Sequence, residues 1–194
     1  TSIAPVLRRP EVRWFFAAVM LTVLAHTALY AFFSLYLVQL GYGKPAVGAL
    51  WAVSIAAEIV FFALAGRYFA RLGDYRWLLL AALVTAGRFA VTAGFGHVVV
   101  VLGIAQLTHA ITFAAQHMAC TSLIARYFPD NLRARGSALY STLGYGVPGL
   151  LGGLAGGLLS ERFGLAAVFW AASLAALASA GCCALAARAD TRAC

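Results

Sequence analysis

Residues 47–69 and 77–96 form two apolar runs joined by a short arginine-rich segment. Each run is about 20 residues long, enough for a helix to cross the hydrocarbon layer of a bilayer. Each also carries one charge near its middle, Glu58 in the first and Arg88 in the second. A charge at the bilayer centre costs roughly 3 kcal/mol or more, so it turns inward and finds a partner. Two lone opposite charges, half-way along adjoining runs, predict an ion pair. Such a pair is either architectural or belongs to a proton or substrate site.

The rest of the chain has the same character. It is 63% hydrophobic and 10% charged, whereas soluble domains carry about 25% charged residues. We expect an all-α membrane protein, because runs of this length favour spanning helices over a barrel. The net charge of +8 does not point to nucleic acid, because the basic residues are distributed among short connections between apolar runs. Cys120, Cys182 and Cys183 lie inside apolar runs; with Cys194 they show no metal-ligand spacing, and we expect neither metal nor disulfide. The sequence opens Thr1-Ser2 and shows no signal peptide. We expect a fragment of a longer protein.

Six spans can be drawn, at 14–40, 47–69, 77–96, 98–127, 134–160 and 165–187, forming one transmembrane domain. Short connections predict antiparallel neighbours. One set of span ends holds Arg8, Arg9, Arg13, Arg67, Arg71, Arg76, Arg126, Arg133, Arg135, Arg188 and Arg192, against only Lys44 and Arg162 at the other. By the positive-inside rule both termini of this segment are expected in the cytoplasm, with the domain in the plasma (inner) membrane. Ala70-Arg71-Leu72-Gly73 after the second span matches Glu161-Arg162-Phe163-Gly164 after the fifth, and the same offset places His26 over His117. That is the pattern of an inverted three-plus-three repeat.

Three stretches carry a resemblance to a known family. They are the segment 66–76, with Gly66, Arg67, Arg71, Gly73, Asp74 and Arg76; the segment 128–136, Phe-Pro-Asp-Asn-Leu-Arg-Ala-Arg-Gly; and the glycine-rich 144–157 with the following 160–164. In these the chain resembles the C-terminal six-helix half of the major facilitator superfamily. The first stretch is similar to that family's cytoplasmic signature loop, though Asp74 follows Gly73 instead of preceding it. Within the superfamily, Glu58, Arg88 and His109 stand where the lactose-permease and phenylpropionate-permease branch of proton symporters places an acid, an arginine and a histidine. The fourth-helix acid of the lactose type has no counterpart after His109. The resemblance implies half of a twelve-helix secondary transporter using alternating access, not an enzyme. Its partners would be a small organic solute, protons, lipid and a missing N-terminal half. Its driving force would be the proton gradient, without a cofactor.

Several polar residues recur at helical spacing. Gln106, His109, Phe113, Gln116 or His117, and Cys120 form a stripe on the fourth span, and Thr22, His26, Tyr30 and Phe33 another on the first. Such stripes face a cavity or neighbouring helices. His26, Tyr30, Gln106, Phe113 and His117 are therefore candidate cavity residues. Glu58 is the candidate proton carrier: burial favours its neutral form and Arg88 its ionised form. His109 could share or relay the proton. Arg88 could alternatively grip a carboxylate solute through its planar fork. Phe32, Phe33, Trp51 and Phe113 suit an aromatic acid and equally suit packing. On the fifth span, Gly144, Pro148, Gly149, Gly152, Gly153 and Gly156 predict close helix packing or a hinge. A non-transporting assembly subunit is the alternative. An intramembrane enzyme would need paired acids or a His-x-x-x-His spacing, and the sequence has neither.

Overall fold

The computed structural model describes residues 2–193; Thr1 and Cys194 lie outside it. Six helices are long and apolar enough to cross a membrane: α1 Pro10–Gln39, α2 Lys44–Leu72, α3 Asp74–Gly94, α4 Val99–Tyr127, α5 Arg133–Phe163 and α6 Leu165–Arg192. A short helix, Ala4–Arg8, precedes α1. No strand occurs among the described residues. In hydrocarbon a helix satisfies its own backbone, which is why uninterrupted apolar runs become helices here. Prolines stand in the first turn of α1 and α2, where the missing N–H has no acceptor in any case.

The helix α6 packs along both α1 and α3 and forms the spine of the bundle. Two apolar clusters fill the interior. One gathers Phe15, Phe16, Leu78, Leu123 and Phe128. The other gathers Leu29, Phe33, Phe89, Leu102 and Phe169. Buried polar residues lie where the clusters meet, among them Thr22, His26, Arg88, Gln106 and His109. Thr22 and Ser179 tie α1 to α6 at 2.6 Å, and Ser173 donates to the Ala86 carbonyl of α3 at 2.8 Å. The polar layer thus has apolar packing above and below it.

Three expectations are corrected. The segment 66–76 is helical except at Gly73: the arginines continue α2 beyond its apolar part, and α3 starts at Asp74. Arg, Leu and Ala are good helix formers, so basic character alone does not end a helix. Within this segment Asp74 accepts from Ser122 of α4 at 2.8 Å, and the Arg71 guanidinium lies over the Tyr68 ring. Secondly, consecutive helices are not all packed neighbours. The helix α2 packs mainly on α4 and scarcely on α3. Thirdly, the close packing expected of the α5 glycines holds for only some of them. A methyl at Gly156 would meet Phe32 Cε2 at 2.5 Å, and one at Gly152 would meet Thr27 Cβ at 2.7 Å. At Gly149 and Gly153 nothing lies within 4 Å. Gly156→Ala should therefore cost about 1–3 kcal/mol of stability through overpacking, while Gly153→Ala should be neutral. Thermal unfolding of the two purified variants checks this, and equal effects would remove the assigned contact face.

The internal repeat has a backbone counterpart. Gly73 (φ 81, ψ 154) and Gly164 (φ 84, ψ 166) join α2 to α3 and α5 to α6 as single-residue links in nearly the same conformation. That region of backbone space is essentially open to glycine alone. They occupy equivalent positions in the two matched stretches.

Candidate functional site

Glu58 and Arg88 are equidistant along the chain from the Gly73 link, so the antiparallel α2 and α3 set them at matching depth. They nevertheless do not form the direct ion pair expected from the sequence. Because α4 packs against α2 and α3, its His109 stands between the two charges. Arg88 Nη1 donates to His109 Nδ1 at 2.7 Å and to Thr112 Oγ1 at 3.0 Å, and Nη2 donates to Gln106 Oε1. The guanidinium lies 5.7 Å from the Phe89 ring centroid. On the other side of the imidazole, Nε2 lies 3.1 Å from Glu58 Oε1. That oxygen makes no well-angled hydrogen bond, so this contact is electrostatic rather than directional.

The donor rules fix the tautomer. A guanidinium only donates, so His109 Nδ1 accepts and the neutral ring carries its proton on Nε2, facing Glu58. The array therefore runs from arginine through imidazole to carboxylate across three helices. Arg88 is 4% exposed and both its terminal nitrogens are engaged by α4. These bonds use three of its five N–H donors.

A cavity of about 230 Å³ opens beside this array. His26, Thr27 and Tyr30 of α1, Phe113 and Gln116 of α4, and Tyr145 and Gly149 of α5 are among its lining residues. Each of these helices has a π-helical stretch here, Ala28–Phe32, Ala110–Ala115 and Tyr140–Gly146. The wider turns change which side chains share a face, and such bulges gather at functional sites. This is why the expected stripe on α4 divides: Gln106 and His109 meet Arg88, whereas Phe113 and Gln116 face the cavity. Phe113 lies nearly parallel to His109 on one side and to His117 on the other, at 5.4 and 6.3 Å. His117 Nδ1 is 3.4 Å from the Tyr145 hydroxyl, outside the array. Tyr30 stacks on Trp51, whose Nε1 donates to Ser34.

His26 is 2% exposed and its Nδ1 lies 2.9 Å from the Thr22 carbonyl. Its Nε2 has no partner among the described residues. The polar layer also includes Thr112 and Tyr145, which sequence reasoning missed. Thr112 stands one helical turn after His109, a signal that was available, whereas nothing in the sequence marked Tyr145. A larger groove of about 670 Å³ runs along α2, with Val60, Phe61 and Leu64 in its lining. Its lining contains no ionisable group apart from the Tyr68 phenol, and we place the site at the smaller polar cavity.

The profile of the MFS_1 like family matches residues 1–171. A probable 3-phenylpropionic acid transporter of Escherichia coli (strain K12) is 32% identical over 167 residues, 84% of this chain and 42% of the relative. A maltose permease of Geobacillus stearothermophilus is 30% identical over 144 residues, 72% of this chain and 35% of the relative. The chain thus spans about two fifths of the length of these curated relatives or less. No solved structure matches it significantly.

Proposed function

Since this chain belongs to the MFS_1 like family, a family of membrane transporters rather than enzymes, we propose that it is one six-helix half of a proton-coupled symporter for a small organic solute. The observation carrying this reading is the Glu58–His109–Arg88 array, set in a buried polar layer beside an aromatic-lined cavity. The helices α2 and α5 have only 11% and 22% of their spanning windows buried, against 44–56% for the other four. A second six-helix bundle, the remainder of a longer polypeptide, would cover those faces and close the cavity between the halves. Alternating access would then consist of the two halves rocking about the site. The arginine asymmetry supports cytoplasmic termini in an inner membrane.

Within the array Glu58 is the group free to carry the proton. His109 Nδ1 already accepts from Arg88, so protonating the imidazole would require that bond to break. Glu58 Oε1 has no competing directed bond. A proton arriving there removes the negative end of the array and loosens α2 from α4. Solute in the adjoining cavity, whose Phe113 stacks on His109, then binds beside a neutral α2–α4 contact, which links its arrival to the proton.

The substrates for which the two relatives are named supply probes. Proteoliposomes of the full-length protein, buffered at neutral pH and diluted into acidic medium, should accumulate 3-phenylpropionate or maltose beyond the level reached in protein-free liposomes. A protonophore should collapse the gain. Accumulation unaffected by the protonophore would refute proton coupling.

A further inference from the structure

The neutral His26 ring is directional. Nδ1 faces a backbone carbonyl, which only accepts, so Nδ1 carries the proton and Nε2 presents a lone pair. That lone pair is buried and unpartnered on a residue lining the cavity. A buried acceptor left unmet costs free energy and calls for an explanation. Nη1 and Nη2 of the neighbouring Arg88 donate to His109, Thr112 and Gln106. The other unmet buried side-chain atom among the described residues is Glu58 Oε1, also an acceptor, across His109. Both of these unmet atoms are acceptors, so each is open to a donor brought by a ligand. Around His26 the rings of Tyr30, Phe89 and Phe113 stand 5.7–6.4 Å away, offering aromatic edges and faces.

We propose that the cavity takes an aromatic solute bearing a ring hydroxyl, whose O–H donates to His26 Nε2. This rests on the reading of the cavity as a solute site and names the chemistry it selects. His26 is thus a specificity residue, while Arg88 holds α3 to α4. A ring without a donor enters the same aromatic walls but leaves Nε2 unmet.

The test measures binding of 3-(4-hydroxyphenyl)propionate and its 4-fluoro analogue to the purified full-length transporter by calorimetry. Wild type should bind the hydroxy compound about tenfold more tightly, the loss expected for one buried hydrogen bond. His26→Phe should erase that preference by weakening only the hydroxy compound, and His26→Gln, which keeps an amide acceptor, should retain part of it. Phe113→Ala should weaken both compounds alike. Equal binding of the two compounds by wild type overturns the proposal without any variant. So does a preference that survives in His26→Phe while Phe113→Ala weakens both, and in that case the cavity remains a solute site. If neither compound binds, or if Phe113→Ala and His26→Phe both leave binding unchanged, the proposal falls together with the solute-site reading.

Discussion

Glu58→Gln in the full-length transporter should reduce uphill solute uptake to passive equilibration while counterflow exchange persists. Glutamine keeps the size and hydrogen-bonding capacity of the protonated acid but cannot release a proton. A pH difference of one unit stores about 1.4 kcal/mol per proton, or about a tenfold accumulation for one-to-one coupling. The variant should lose all of that gain. Exchange needs only the two halves to rock with solute aboard, and a permanently neutral α2–α4 contact allows it. Both assays run in the same vesicles, one with a pH gradient and one with solute preloaded inside. Undiminished uphill uptake by Glu58→Gln would move the proton to His109 or to the other bundle.

Arg88→Gln should be the most destabilising single change in the polar layer. It removes the donor for Gln106, His109 and Thr112 together, all of them buried. Taking one partner from a buried charged network costs roughly 3–5 kcal/mol. The double variant distinguishes the bridged array from a direct ion pair. Were Arg88 bound to Glu58 alone, neutralising both would restore folding. With Arg88 held by three α4 side chains, Glu58→Gln/Arg88→Gln should remain as unstable as Arg88→Gln. Recovery of folded yield and unfolding temperature in the double variant would show that the carboxylate is the arginine's true partner.

Much of the architecture was legible in residue order. Apolar runs set the number of helices, and the lone charges Glu58 and Arg88 marked the polar layer. The repeat around Gly73 and Gly164 anticipated two matching links. The bridge itself was hidden, because equal depth in adjoining helices does not determine which helix packs against which. Only the placement of α4 against both α2 and α3 shows why His109 intervenes. The division of the α4 stripe was equally hidden. A π-helical stretch such as Ala110–Ala115 has no sequence signature here, so helical spacing named Phe113 for the cavity it lines but did not separate it from Gln106 and His109, which meet Arg88. The glycines of α5 were visible, but only the position of Phe32 and Thr27 on α1 separates the crowded Gly156 and Gly152 from the open Gly153.

The two one-residue links have a mechanical consequence. A single glycine between helices of twenty or so residues leaves no slack, so α2 with α3, and α5 with α6, are each jointed like the arms of a caliper. By the inverted repeat, one joint lies at each membrane face. The other connections, 40–43, 95–98 and 128–132, are several residues long and can stretch. Any rocking of the bundle would draw its compliance from those longer connections, with the two calipers hinged on opposite sides of the membrane.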